Sequence, residues 1–276
     1  MSLKDKILKK IDELPPLPQV VIRIHELIED PESEAKDIAR VIETDQAIAA
    51  KVLRIANSAY YGMRGKISSV QHASVVLGFK TLGEIVTIAG AQGSLGRKLP
   101  GYGYDTGDLW EHSLAVAFGA KIIAGIKNQA MVNEAYTAGL IHDVGKIILD
   151  PYVFEQKDEI ESYMKNEEKT FLDAENHFFS FNHAEIAFEI CNNWSFPENI
   201  NIAIKGHHNP SSSGGTDLSY ILHMADHTAR FIGIGYDEDD FLYELEEGTM
   251  DYLGFKQQDT SDIVFMITEN MKNFSS

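Results

Sequence analysis

Residues 139–146 read GLIHDVGK: a histidine and an aspartate side by side at the end of an apolar run, with a lysine three positions on. A buried imidazole beside a buried carboxylate is costly unless something binds them both. Other residues of the same kinds recur along the chain. His207 and His208 form a doublet, His112 lies in LWEHSLAVAFG, His183 in SFNHAEIAFEI, and His223 and Asp226 in LHMADHTARF. Imidazole together with carboxylate suits divalent first-row ions such as iron, manganese, nickel or zinc. An aspartate has two oxygens and can span two ions. Two ions about 3.5–4 Å apart form the usual clamp for hydrolysing phosphate esters. Lys146 would share nearly one helix face with Asp143. There it would hold a phosphate oxygen as a point charge, or snorkel to solvent as surface lysines commonly do. Taken singly, each histidine also reads as an ordinary hydrogen-bonded side chain, and it is the set that points to metal. His223 reads either as an outer partner of that set or as a core residue.

Adjacent residues of a helix point about 100° apart. A His-Asp or His-His doublet therefore reaches one cavity only from a helix end, and the elements must supply such ends. The chain reads as all-α. An amphipathic helix covers residues 5–14, and the proline run at 14–18 is a rigid opening to a second helix ending at Glu29. The same L-P-P-L-P run is also a formal proline-recognition sequence. A third helix lies within residues 30–45 with Pro31 at its start. Asp45 caps a fourth, which Gly62 and Gly65 break, and Gly78 turns between two helices within residues 66–95. LGRKLPGYGYDTG, residues 95–107, reads as a linker or long surface loop, and GYGYD within it as loop. A boundary is expected near residue 100, giving a helical lobe over 1–100 and a second helical body over 101–276.

Beyond the boundary, an apolar helix carries His112, and NEAYTAGLIHDVGKIILDPY reads as one helix ending near Asp150-Pro151. A surface helix follows over 153–168. Residues 170–194 read as two helices, or one broken near Phe179, and the next helix ends at the His207-His208 pair. The apolar helix with His223 and Asp226 precedes an acidic extension, which ends in a short exposed helix over 261–273.

The net charge is −18 at pH 7. That disfavours nonspecific contact with DNA or an anionic membrane and leaves cation attraction open. The single cysteine, Cys191, sits in an apolar run and reads as a buried thiol, in keeping with a reducing cytoplasm. No signal peptide and no 18-residue apolar segment is expected, hence no membrane.

His112, the His142-Asp143 doublet within HDVGK, and Asp226 resemble the HD superfamily of metal-dependent phosphohydrolases. With His183 and the His207-His208 pair, the set is similar to that of HD-GYP phosphodiesterases. In the front part, LPPLPQVVIRIHELI, Asp30-Pro31, IANSAYYG and SSVQHASVVLGFKTL resemble the HDOD family, a bacterial signalling output domain. The resemblance spans residues 10 to about 235. It implies an all-helical fold, an N-terminal lobe packed on an HD core. It implies His112, His142, Asp143, His183, His207, His208 and Asp226 as ligands of two divalent transition ions. Asp143 would bridge them, with His142, His112 and Asp226 on one ion and His183, His207 and His208 on the other. Asp143 and Lys146 would be the catalytic candidates, Lys146 near the phosphate. His208 continues into NPSSSGGTD, without the acidic residue and GYP loop of HD-GYP enzymes, which speaks against cyclic di-GMP as substrate. Three roles follow: a signalling protein with a metal centre and protein partners, a phosphohydrolase acting on a nucleotide or other phosphate-containing small molecule, or an interaction module without metal.

Overall fold

The computed structural model describes Ile7, residues 9–10, 19–30, 32–62, 66–194, 196–234 and 243–275. Most of the expected 5–14 helix, the proline run, Pro31, Gly65 and the acidic residues 236–242 lie outside the described residues. Among the described residues the protein is all-helical. The one β-pairing is an isolated antiparallel bridge between Leu99 and Tyr104. The chain divides into two compact units, Pro15–Ser94 with Thr268–Ser276, and Met1–Leu14 with Leu95–Ile267, counting described residues only. The glycine-rich stretch predicts a break near residue 100; the division falls at Leu95, and each unit takes one end of the chain.

The first unit holds α1 (Gln19–Glu29), α2 (Ala35–Glu43), α3 (Gln46–Ala56) and α4 (Val70–Leu95). Asp45 caps α3, its carboxylate accepting from the Ala47 and Ile48 amides. Gly78 interrupts α4 with φ +78°, a left-handed conformation that side chains resist. The helix is thus two runs meeting at a turn.

The second unit contains α5 (Asp108–Lys127), α6 (Val132–Ile141), α7 (Lys146–Glu155), α8 (Lys157–Glu167), α9 (Phe171–Phe179), α10 (His183–Asn193), α11 (Glu198–Lys205), α12 (Asp217–Phe231), α13 (Thr249–Leu253) and most of α14 (Gln257–Ser275). Helix α5 is buried nearly all round through Leu109, Leu114, Val116, Phe118 and Ile123, so it is a core helix rather than a surface one. Small residues let α6 press against it. A Cβ at Gly139 would lie 2.7 Å from the Ala117 Cα and 2.8 Å from its nitrogen. Cys191 is fully buried, and burial pushes its thiol well above the ordinary range.

The structure revises four expectations. Residues 133–152 are two helices, not one. Apolar spacing continues through residues 142–145, but i→i+3 bonds such as Val144 N–H to Ile141 O replace the α-helical ladder there. Pro151 sits inside α7. The 95–107 stretch is no surface loop: Leu99, Tyr102 and Tyr104 are buried, because both tyrosine hydroxyls find polar partners inside. The last helix is longer than 261–273 and buries Ile263 and Ile267. Finally, Val70–Leu95 and Asp108–Lys127 are long and apolar enough to cross a membrane. Most of the apolar window of Asp108–Lys127 is buried inside the protein, as befits a core helix.

The close α5–α6 contact yields a stability test. Gly139→Ala is expected to destabilise the metal-free protein by about 1–3 kcal/mol through overpacking. Gly93→Ala, where the new methyl meets nothing within 4 Å, is expected to be neutral or to stabilise by up to about 1 kcal/mol. Urea unfolding in chelator reads both.

Candidate metal centre

Five helix ends or faces of the second unit deliver the polar set. His112 lies in the second turn of α5, and His142 and Asp143 form the tight turn between α6 and α7. His183 is the first residue of α10, His207 and His208 follow α11, and Asp226 lies within α12. The i→i+3 turn matters because side chains three apart nearly eclipse. It brings the Lys146 Nζ to 2.7 Å from Asp143 Oδ2. It also brings the His142 Nδ1 to 2.8 Å from the Gly139 carbonyl. Gly145 lets α10 rest on this turn, since a Cβ there would meet the His183 carbonyl and, at 2.8 Å, the Ala187 nitrogen.

The side chains fall into two groups whose candidate ligand atoms lie within 4.8 Å of one another: His112, His142 and Asp226, and Asp143, His183, His207 and His208. Asp143 faces both. Its Oδ2 is 3.3 Å from His142 Nε2 and 3.7 Å from His112 Nε2. Its Oδ1 is 3.2 Å from His183 Nε2 and 3.7 Å from His207 Nε2. Asp226 Oδ1 is 3.0 Å from His112 Nε2 and 3.6 Å from His142 Nε2.

The outer nitrogens of the imidazoles are all engaged. The Nδ1 of His112 meets the Ile234 carbonyl at 3.1 Å, and that of His207 the Ile204 carbonyl at 2.6 Å. The Nδ1 of His183 lies 2.7 Å from Glu175 Oε2, and the His183 amide donates to the same oxygen. A carbonyl can only accept, so Nδ1 carries a proton in His112, His142 and His207, and in the neutral rings of His112 and His207 the Nε2 lone pair faces inward. Between His208 Nε2 and His183 Nε2 the gap is 2.7 Å. The inward atoms His112 Nε2, His142 Nε2, His207 Nε2, Asp143 Oδ1 and Asp226 Oδ2 are buried without a hydrogen bond. Inward lone pairs and carboxylates, sealed from water and unsatisfied by protein, are what a cation fits.

Electrostatics agree. Burial alone would raise Asp143, yet His142, Lys146 and His183 hold it well below the ordinary carboxylate range. Asp226 is likewise buried and held low, chiefly by Arg230. Desolvation lowers His112, and His207 and His208 further, so these rings stay neutral and ready to ligate. His142 differs: although burial works against its charge, Asp143 and Asp226 raise it to about 9.

An outer ring surrounds these ligands, of which sequence reasoning left out Glu175, Tyr102, Tyr104 and Arg230. Glu175 is buried, accepts the Tyr102 hydroxyl at 2.5 Å, and orients His183. Lys146 is buried rather than snorkelling, 3.3 Å from the Tyr104 hydroxyl and over the Tyr102 and Tyr104 rings. Arg230 Nε lies 3.1 Å from Asp226 Oδ1, the two spaced i,i+4 on α12. That spacing was the one signal available in advance. His223 is not in either group. Its Nδ1 donates to the His207 carbonyl at 2.7 Å and its Nε2 accepts the Glu246 amide at 2.9 Å, so it steadies the histidine doublet from behind.

The HDOD domain family model matches residues 14–210. An HDOD domain protein of unknown function from Geobacter sulfurreducens superposes with a TM-score of 0.76 at 24% identity, covering 98% of this chain and 97% of that one. A proposed phosphohydrolase from Shewanella amazonensis SB2B superposes at 0.75 with 22% identity over the same shares. At these identities the likeness is one of fold. An uncharacterized protein of Treponema pallidum (strain Nichols) is 28% identical over 212 residues, 75% of this chain and 40% of that protein. The chain thus spans well under half the length of that curated relative.

A proton on His142 would compete with an ion held at the first group. With its pKa near 9 in the metal-free protein, affinity there rises with pH, about tenfold per unit up to roughly pH 9, where the gain levels off. Manganese titrations by calorimetry at pH 6.5, 7.5 and 8.5 check this, and affinity independent of pH would contradict it.

Proposed function

The chain belongs to the HDOD family, whose model covers residues 14–210, and from that premise we propose that it is a signalling protein built around a retained two-ion metal centre. The observation that carries the reading is Asp143, one buried carboxylate with its oxygens divided between two imidazole groups. The ions are divalent transition metals drawn from iron, manganese, nickel and zinc, which suit five imidazoles and two carboxylates. His112, His142 and Asp226 hold one. His183, His207 and His208 hold the other, and Asp143 bridges.

The side chains of the seven ligands are at most 5% exposed. Ligand side chains so deeply buried support a structural or regulatory ion over one that turns substrate over, because substrate must reach a catalytic ion. In this role the centre stiffens the helical core, and the protein's surfaces meet protein partners. The net charge of −18 argues against a nucleic-acid or membrane partner. A lone buried thiol fits the cytoplasm.

A second reading, a metal-dependent phosphohydrolase, is favoured by two cations. Lys146 sits on Asp143 and Arg230 on Asp226, so a cation stands beside each carboxylate of the centre. Two bound ions would supply Lewis-acid polarisation of a phosphoryl oxygen and a more acidic water. Lys146 would hold the phosphate as a point charge, and Arg230 would balance the charge at Asp226.

An assay with manganese- and iron-loaded protein separates the two. Substrates are p-nitrophenyl phosphate, bis(p-nitrophenyl) phosphate and cyclic dinucleotides. The expected result is full metal loading with turnover no greater than that of Asp143→Asn. Turnover that Asp143→Asn abolishes while its fold persists would overturn the signalling-only role in favour of the hydrolase.

A further inference from the structure

Each imidazole of the centre needs something to hold its outer nitrogen. For His112, His142 and His207 this is a backbone carbonyl, and for His183 the Glu175 carboxylate. The partner of His208 comes from a different place. Its Nδ1 meets the hydroxyl of Tyr243, well beyond the HDOD-matched residues 14–210.

Four further contacts tie Tyr243 and the chain on either side of it to the centre. The Tyr243 and His208 ring centroids are 4.8 Å apart. The Arg230 guanidinium lies over the Tyr243 ring at 4.7 Å while its Nε holds Asp226. The Glu246 amide donates to His223 Nε2, whose other nitrogen holds the His207 carbonyl. Ile234, just after α12, supplies the carbonyl for His112. Residues on both sides of 235–242 therefore close on histidines of both metal groups.

We propose that Tyr243 is a positioning residue of the second metal group, and that residues 243–246 form a strap whose docking is thermodynamically coupled to ion occupancy at His208. This deepens, and rests on, the metal-centre reading above. The chemistry is local. With Nδ1–H donated to the phenol oxygen, the His208 Nε2 lone pair is aimed at the ion shared with His183 and His207. Arg230 over the ring keeps the phenol from turning away and links it to Asp226, a ligand of the other group. Coupling must run both ways: if the docked strap favours the ion, the ion favours the docked strap by the same factor. Any partner that lifted the strap would weaken the second ion first.

Two measurements on the full chain test this. Tyr243→Phe keeps the ring and its stacking and removes only the acceptor. In cobalt(II) titrations, the variant is expected to bind one ion as the wild type does and the second about 10–100-fold more weakly. Its visible d–d spectrum should change at the second equivalent, a signature a general loss of stability would not produce. In the wild type, hydrogen exchange at the Glu246 amide is expected to slow at least tenfold on adding manganese. Identical affinities and spectra in Tyr243→Phe, or a Glu246 amide indifferent to metal in a wild type that binds two ions, would overturn the inference alone. A wild type that takes up no ion would instead overturn the metal-centre reading on which it rests. Should the variant fail to fold, the exchange measurement decides.

Discussion

A carboxylate with no exposed surface, placed among five imidazoles, is the constraint around which the second unit is organised. Asp143 is buried completely. Such a group is tolerated only where opposite charge and hydrogen bonds compensate its lost hydration. Lys146 supplies part of that on one oxygen. The other oxygen has no hydrogen bond within the protein and faces His183 and His207. The protein devotes six helices, α5, α6, α7, α10, α11 and α12, to this arrangement, and two glycines beside the doublet let them approach closely enough. Gly139 admits the backbone of α5 and Gly145 that of α10. The same turn that breaks the α6–α7 run stacks Lys146 over Asp143. Helix termination, glycine placement and charge pairing thus serve one local geometry.

From that centre the structure extends outward in two directions. On one side, the buried stretch 99–104 carries Tyr102 to Glu175 and Tyr104 to Lys146, and so steadies His183 and the lysine together. On the other, α12 presents His223, Asp226 and Arg230 on neighbouring turns, reaching the histidine doublet, the first metal group and the Tyr243 ring. Ions at the two groups would hold these flanks to each other through ligands that otherwise repel or remain unsatisfied.

Much of this was legible beforehand, for a physical reason. The ligand types are chemically distinctive, and histidines in apolar segments stand out against their surroundings. All seven side chains singled out by type and by resemblance are drawn together in the structure, and Asp45 caps its helix as the pattern implied. What escaped was set by long-range packing. Tyr102 and Glu175 are 73 positions apart, and no periodicity connects them. A tyrosine between glycines looks the same whether its hydroxyl meets solvent or a buried carboxylate. The break at His142-Asp143 was hidden because an i→i+3 turn preserves apolar spacing for one turn. Arg230 alone among the missed residues had a spacing signal, four after Asp226 on one helix.

Cations between the two imidazole groups are what this arrangement of buried lone pairs and carboxylates requires. Crystals of protein produced in metal-replete medium and purified without chelator, with diffraction recorded above and below the iron, manganese, nickel and zinc edges, test it most directly. Two anomalous peaks per chain are expected, about 3.5–4 Å apart, with Asp143 between them and imidazoles on either side. Density at that place with no anomalous signal at any of those edges would contradict it.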